Sequence, residues 1–304
     1  MNLPARRPAR AERAWVAWGF LIAWGGAVLF VPGAAGQDRP DGERDRLTRL
    51  LAKARTYCAR LETAALDFTC LEKIQEKTYR LPEFRADGVV ITDPSPAAEA
   101  DRTYAMPLQN YYARTSVYDY QFVRMADRKV ERRALVELDG RKMKLDDAQL
   151  DTRTIRVENA LFGPIGLVGE SWQPRHDYRI VGEEMENGRS VVIVEAVPKP
   201  SFDRPHCFGR LWIREDDGSV IKIAWDQTSV GNFKAFEARG REIGAVARLT
   251  STTEYGQEKN GLRFPSKDTT EEAYVKYGKI YVQSLTTILY QDYKFFTVET
   301  EVRY

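Results

Sequence analysis

The chain has 304 residues, of which 43% are hydrophobic and 30% charged, with a formal net charge of +2. This composition is typical of a folded globular protein and excludes a charge-rich disordered chain. The first 36 residues hold three excess positive charges, so the remaining 268 residues carry a net charge of −1, which argues against a general nucleic-acid-binding protein.

Residues 1–36 have the layout of a signal peptide. Arginines at positions 6, 7, 10 and 13 precede an uncharged apolar run of 18 residues, and Ala34-Ala35-Gly36 supplies the small residues of a cleavage site. Residues 37–43 are then a short linker. We therefore predict an exported protein, periplasmic or otherwise extracytoplasmic, with no stable membrane span after signal cleavage. The alternative is an uncleaved N-terminal anchor, because a run of 18 apolar residues is at the short end for a membrane span.

Apolar residues recur at helical spacing over residues 43–66, which predicts one N-terminal helix. The pattern then changes to a period of two at Phe68, which predicts a strand that returns along the helix. This geometry brings Cys70 back toward Cys58, and in an exported protein it predicts a Cys58–Cys70 disulfide. The alternative is two reduced, buried thiols. Cys207 is left unpaired in either case.

Residues 81–107 are interrupted by prolines and predict a long loop inserted into the domain. Beyond residue 108, pairs of alternating segments flank turn signals, of which Asn187-Gly188 is the strongest. The segments 245–257 and 262–270 form another predicted hairpin, and 280–290 with 294–302 form the last. Successive hairpins predict an antiparallel sheet of about nine to eleven strands in a single domain, residues 44–304.

The segment 161–172 is apolar and rich in glycine. It predicts a loop or short helix packed on the sheet, either as a buried connection or as a mobile flap over a cavity.

Motifs that carry chemistry are absent from the sequence. The two histidines, His176 and His206, do not belong to an HExxH motif, and the cysteines form no paired CxxC motif. Residues 169–173 resemble the start of a nucleophile elbow but lack its closing glycine. Arg132-Arg133 and similar charge runs predict a solvated strand face. We therefore predict no catalytic residue, no metal site, no cofactor and no enzymatic activity, with an exported hydrolase as a minor alternative.

The sheet has more apolar surface than one helix can cover. Ten strands at a spacing of about 4.8 Å are more than 40 Å wide, while the predicted helix is a single rod. Part of the apolar face must curl on itself, be covered by segment 161–172, or hold a ligand. The predicted apolar lining is Tyr118, Tyr120, Phe122, Leu211, Ile213, Ile221, Ile223 and Trp225, covered by Phe162, Ile165 and Leu167.

Four short motifs resemble those of the bacterial lipoprotein-localisation carriers, the LolA/LolB/RseB-like proteins. They are Asp67-Phe68-Thr69-Cys70 after the helix, the hairpin 209–223 with its GRLWIR and VIKI segments, the hairpin 178–193, and the closing YKFFTV segment at 293–298. The resemblance implies a mainly β, α+β fold, in which one N-terminal helix lies in a curved antiparallel half-barrel.

The resemblance and the apolar lining together predict a non-catalytic protein of the bacterial cell envelope. Its expected ligand is hydrophobic, such as a lipid or the acyl chain of a lipoprotein, with a possible envelope protein partner and no nucleic acid. The alternative is an envelope sensor or interaction module with a packed core and a protein partner.

Overall fold

The computed structural model describes residues 40–64, 68–81, 110–125, 128–154, 162–202 and 204–296. Within them lie three α-helices, α1 (Pro40–Ala64), α2 (Gly163–Val168) and α3 (Phe233–Glu242). The strands are β1 (Phe68–Tyr79), β2 (Asn110–Met125), β3 (Arg128–Leu138), β4 (Arg141–Leu145), β5 (His176–Glu186), β6 (Arg189–Pro198), β7 (Gly209–Arg214), β8 (Val220–Trp225), β9 (Val246–Glu254), β10 (Gln257–Lys259), β11 (Leu262–Phe264), β12 (Lys267–Lys276) and β13 (Lys279–Phe295).

Eleven of these strands form one antiparallel sheet in the order β4-β3-β2-β1-β13-β12-β9-β8-β7-β6-β5. Strands β4 and β5 are its two edges, so the sheet is open rather than closed into a barrel. Strands β10 and β11 form a separate hairpin. The predicted mainly antiparallel fold is confirmed.

The curvature of the sheet follows from where α2 touches it. Strands β2 and β8 are five positions apart in the sheet, about 24 Å in a flat sheet. The ring of Phe162 packs on Phe122 of β2 with centroids 4.6 Å apart. A Cβ built on the next residue, Gly163, would lie 3.1 Å from the side chains of Ile223 and Trp225 of β8. Phe162 thus contacts β2, and the next residue, Gly163, lies against β8. Because consecutive residues reach both strands, the sheet curls around α2 as a half-barrel.

The hairpins at residues 187–188 and 209–225 form as predicted. Asn187 and Gly188 have φ of 50° and 76°, the left-handed values that a tight type I′ turn requires and that Asn-Gly adopts easily.

The prediction for the last hairpin was wrong. Residues Lys279–Phe295 form one strand of 17 residues, which pairs with β12 on one side and β1 on the other. Asp292, which resembles a turn residue in the sequence, has φ of 53° at the point where the register with β1 shifts. It therefore marks a bulge, where one extra residue is accommodated and the strand continues. Residues 297–302 of the predicted partner strand lie outside the described residues.

The predicted hairpin 245–257/262–270 divides into two pairings. Strand β9 pairs directly with β12, whereas β10 and β11 leave the sheet and pair with each other around Asn260 and Gly261. The small hairpin lies at the side of α1, where the Tyr57 hydroxyl accepts a hydrogen bond from Arg263 N at 3.1 Å.

Helix α1 places one apolar stripe in the core. The stripe is Leu50, Ala54, Tyr57, Cys58 and Leu61, each at most 2% exposed, and its spacing is that of one helical face. The predicted helix is confirmed from residue 43 to Ala64, and residues 65–67 lie outside the described residues.

The predicted Cys58–Cys70 disulfide is not formed. Both cysteines are free and buried, and both belong to the hydrophobic core. Burial raises the pKa of Cys58 to about 12 and that of Cys70 above its usual range. The return of the strand along the helix made a bridge sterically reasonable, but two small apolar thiols fill the same core without one.

Helix α3 was missed by the sequence reasoning, which predicted helix only at the N-terminus and, as one option, in segment 161–172. Phe233, Phe236 and Gly240 are its buried residues, and the ring of Phe236 packs on Tyr274 of β12 at 4.6 Å. The spacing i, i+3, i+7 is the signal that predicts this helix.

Three predicted segments lie wholly or mostly outside the described residues: the signal peptide 1–36, the linker 37–43 up to residue 39, and the loop 81–107 beyond Leu81. Residues 40–43 of the predicted linker belong to α1 instead. Among the described helices, none is both long and apolar enough to cross a membrane.

Candidate functional site

The inner face of the sheet is the face on which α1 and α2 lie, and it has two halves of different chemistry. We call the part formed by β6, β7 and β8 the apolar half. Its inward residues are Val192, Val194, Ala196, Leu211, Ile213 and Ile223, all 0% exposed. We call the part formed by β1, β13, β12 and β9 the polar half, because hydroxyl and carboxylate side chains recur along it.

Helix α2 lies in the curl between the two halves. It has six residues, GPIGLV, and its N-terminus has no side-chain cap. Gly163 is required by close packing, because a methyl carbon built on it would lie 2.5 Å from Tyr255 Oη. Tyr255 is itself fully buried. The helix therefore contacts the sheet through an apolar surface that fits closely.

The C-terminal end of α2 is held by two side chains. The Tyr178 hydroxyl of β5 donates to Leu167 O. Gln173 Nε2 donates to Val168 O at 2.8 Å and to Leu51 O of α1 at 2.7 Å. These bonds satisfy carbonyl groups that a helix end otherwise leaves without partners. A few side-chain hydrogen bonds and apolar contacts thus fix α2 to the half-barrel.

The structure brings the predicted lining residues into one hydrophobic core, with the exception of Ile221. Ile221 lies where the register of β7 with β8 shifts, and Val220 takes the core position opposite Ile213 instead. The exposed fractions of the predicted lining are 2% for Tyr118, 3% for Tyr120 and Phe122, 0% for Leu211, Ile213, Ile223 and Leu167, 9% for Ile221 and 7% for Trp225. Phe162 and Ile165 are partly buried and pack against the core. In the structure the chain's own side chains occupy this face. Contact of these residues with a ligand remains a prediction.

The polar half contains a row of buried carboxylate and hydroxyl side chains that crosses the sheet. Glu76 of β1 is opposite Thr286, Thr286 is opposite Thr270, and Thr270 is opposite Ser251. All four are at most 2% exposed. Ser251 and Thr270 share a hydrogen bond of 2.9 Å. The segment after β4 closes the row at Glu76, which accepts from Thr154 Oγ1 at 3.0 Å.

A second chain of hydrogen bonds links the two halves. Trp225 Nε1 of β8 donates to Thr253 Oγ1 at 2.9 Å, and Thr253 Oγ1 donates to Asp268 at 2.5 Å. Thr253 is 0% exposed and Asp268 is 1% exposed. Because buried polar groups are costly unless bonded, this chain fixes the positions of β8, β9 and β12 relative to each other.

An ion-pair cluster lies at the β3 side of the polar half. Arg133 donates to both oxygens of Glu72 at 2.5 and 3.0 Å and to Glu131 at 2.8 Å. Glu72 is 0% exposed and Arg133 9% exposed. Burial opposes the charge on Arg133, but hydrogen bonds and attraction from Glu72 and Glu131 raise its pKa overall. Burial raises the pKa of Tyr120, whose hydroxyl donates to Glu131.

The prediction that Arg132-Arg133 forms a solvated face was wrong for Arg133. Only Arg132 is exposed, where it pairs with Asp147 at 2.6 Å. Arg133 alternates to the inner face and meets Glu72 of β1. The sequence feature that could have revealed this site is the alternation of β1. Glu72 and Glu76 lie on the same inward face of the strand as Phe68.

A pocket of about 400 Å³ lies over this cluster. It is lined by Glu131, Arg132, Arg133, Asp147, Ala148, Gln149 and Leu150. The charged residues that line this pocket differ from the apolar cavity lining that the sequence predicts. Among the described residues, no group of three or more His, Cys, Asp or Glu side chains is placed to hold a metal ion.

Comparison with known proteins finds only distant structural similarity. No family model matches the sequence, and no curated protein matches it. The chain is similar to the structure of a LolA superfamily protein from Nitrosomonas europaea, with 12% identity, 83% of this chain and 94% of that chain covered, and a TM-score of 0.34. A putative outer membrane lipoprotein-sorting protein domain from Vibrio parahaemolyticus is similar at 9% identity, with 83% and 94% covered and a TM-score of 0.37.

MucB, which has also been solved in complex with MucA, is similar at 12% identity, with 83% of this chain and 93% of that chain covered and a TM-score of 0.25. The half-barrel architecture of this chain rests on its own sheet order and on the packing of α2 against β2 and β8. At these identities and scores, the similarity says nothing about ligand or partner.

Proposed function

We propose that this chain is a non-catalytic, exported binding protein that takes the acyl chain of a lipid or lipoprotein into the apolar half of its inner face. The observation that carries the proposal is α2. This short apolar helix occupies the curl between β2 and β8, and side chains rather than sheet pairing hold it there.

The size of the helix supports an acyl chain as the ligand. The side chains of Phe162, Ile165, Leu167 and Val168 contain about 18 carbon atoms, roughly as many as a long acyl chain, and burial of apolar surface drives both occupants equally. An acyl chain that replaces α2 leaves the apolar half covered. In this proposal the structure is the closed form, in which α2 covers the apolar half.

Two glycine variants in α2 test the proposal. Gly163→Ala places a methyl group 2.5 Å from the buried Tyr255 hydroxyl, so it favours displacement of α2. Gly166→Ala has the same effect on helix propensity but points into open space. Overpacking costs about 1–3 kcal/mol, which raises the population of the open form and tightens the apparent affinity by about fivefold to a hundredfold.

The measurement is a fluorescence titration with cis-parinaric acid, a fluorescent fatty acid. We expect Gly163→Ala to bind more tightly than the wild type, and Gly166→Ala to bind as the wild type does or more weakly. Equal affinity of all three proteins, or no binding by any, contradicts the proposal.

The second candidate is an interaction module with a packed inner face and a protein partner. The burial of the predicted lining at 9% exposure or less favours it. In that case Gly163→Ala lowers the stability of the protein without any gain in fatty-acid binding.

A further inference from the structure

His176 and His206 face each other beside the C-terminal end of α2. Their Nε2 atoms are 2.9 Å apart, and their ring centroids are 5.0 Å apart at an interplanar angle of 77°. Both Nε2 atoms therefore lie between the rings and point toward each other. His176 is 2% exposed, and an aromatic group surrounds the pair: Trp172, Phe202 and Phe208.

The other nitrogen of each ring is already used as a donor. His176 Nδ1 lies 3.0 Å from Trp172 O, and His206 Nδ1 lies 2.9 Å from Arg204 O. A carbonyl oxygen only accepts, so both Nδ1 atoms carry a proton. If both rings were neutral, two Nε2 lone pairs would face each other at hydrogen-bond distance with no proton between them.

We propose that His176 and His206 form a proton-sharing clasp over the end of α2, which is fully closed only when the pair holds three protons. With two protons, the hydrogen bond between the two Nε2 atoms is lost, and only the two Nδ1 bonds remain. With four protons, two N–H groups and two positive charges meet, and the clasp opens. The proton moves between the two Nε2 atoms and water, and no other bond changes.

The clasp connects directly to the support of α2. Trp172 O accepts from His176, while Trp172 N donates to Gly169 O at the end of α2 at 3.0 Å. Gln173 and Tyr178, the side chains that hold the α2 carbonyls, lie on either side of His176 in the sequence. An open clasp therefore releases the segment that positions α2. The link to ligand entry rests on the proposed function, whereas the clasp itself does not.

The surroundings of His176 disfavour a positive charge on its ring. Burial lowers the pKa of His176, and the charges of His206 and Arg175 lower it further, while the bond to Trp172 O and the charge of Asp177 oppose them. Three more titratable residues are close to the pair in the sequence or the sheet: Arg204 and Cys207 near His206, and Lys199, which follows the β6 residue that pairs with His176. The ring of Tyr178 packs on His176.

Hydrogen exchange of the full chain between pH 4.5 and 8 tests the clasp without any ligand. We expect the protection of amides 163–176, corrected for intrinsic exchange rates, to pass through a maximum at mildly acidic pH and to fall by roughly fivefold to tenfold on both sides. Amides of β12 and β13 serve as the internal control and keep their protection over this range.

Two variants of His206 separate the loss of protection at alkaline pH from the loss at acidic pH. His206→Gln supplies a neutral N–H donor to His176 Nε2 at every pH, so the loss at alkaline pH disappears. Because the amide can also turn its oxygen toward protonated His176, the loss at acidic pH becomes smaller. His206→Phe removes the bond and gives low protection without a maximum. The proposal is overturned if the wild type shows no maximum, or if His206→Gln keeps the alkaline loss. Because no ligand is present, either result leaves the fatty-acid titration to be judged on its own.

Discussion

The two halves of the inner face bury side chains of opposite chemistry. The apolar half buries side chains such as Leu211 and Ile223 against α1 and α2, and their contacts have no preferred direction. The polar half buries carboxylates and hydroxyls such as Glu76 and Thr286, which require partners at set distances and angles. The contacts of the apolar half are therefore compatible with a different apolar occupant, as the proposed function requires, while the polar half is fixed to a single arrangement.

This difference assigns a role to each half. The polar half connects β1, β13, β12 and β9 by bonds that tolerate little movement, and so maintains the curl of the sheet. In the proposed function, the apolar half offers α2 and an acyl chain in its place the same apolar environment. We therefore expect variants in the polar half to reduce stability and variants in α2 to change binding.

The largest effect is expected from Arg133→Met. The substitution leaves Glu72, which is 0% exposed, without the guanidinium that neutralises it. Loss of one member of a buried ion pair costs about 3–5 kcal/mol, measured as the free energy of unfolding in urea. The control is Arg132→Met, which breaks an exposed pair with Asp147 and costs less than about 1 kcal/mol. Similar losses in both variants would show that the cluster does not hold the polar half together.

A smaller effect is expected from Thr253→Val. Valine keeps the shape of threonine but removes the oxygen that accepts from Trp225 Nε1 and donates to Asp268. The loss of stability should be about 1–3 kcal/mol, because buried polar atoms lose a partner. Thr250→Val on the same strand is exposed and serves as the control. If thermal unfolding shows the two variants to be equally stable, the hydrogen-bond chain between the halves is not a structural link.

The smallest effect concerns the attachment of α1, through the ion pair between Arg46 and Glu215 at 2.6 Å. Hydrogen bonding to Arg46 lowers the pKa of Glu215 from 4.5 to about 2. A carboxylate with a lowered pKa stabilises the folded state above its unfolded pKa, and this contribution is lost as the pH falls toward about 2. At pH 7 the free energy of unfolding of the wild type should be about 1 kcal/mol higher than that of Glu215→Gln. The difference is small because the pair is partly exposed.

The measurement is urea unfolding of both proteins at several pH values. The difference in stability should be constant above pH 5 and shrink progressively at lower pH. A difference that does not depend on pH would mean that Glu215 acts by packing rather than by charge.

The sequence predicted the apolar half better than the polar half for a physical reason. Alternating apolar residues such as Leu211 and Ile213 identify an inward face without knowledge of the neighbouring strand. The partner of Glu72 is Arg133, 61 residues away and two strands along the sheet, and no local pattern encodes that pairing. For the same reason Arg133 was assigned to a solvated face.

The same contrast applies to the smaller elements. Asn187-Gly188 encodes its turn locally and was predicted correctly, whereas the bulge at Asp292 depends on the register of β13 with β1. The fit of Gly163 under Tyr255 joins residues that are far apart in the sequence, so only the folded chain reveals that α2 fills the curl.

The most direct test of a displaceable α2 is hydrogen exchange of the full chain with and without saturating palmitate. We expect amides 163–168 to lose protection by about tenfold or more when palmitate binds, while those of β7 and β8 keep or increase theirs. Unchanged protection of α2 at saturating palmitate would contradict the account, because the acyl chain would then not occupy the place of the helix.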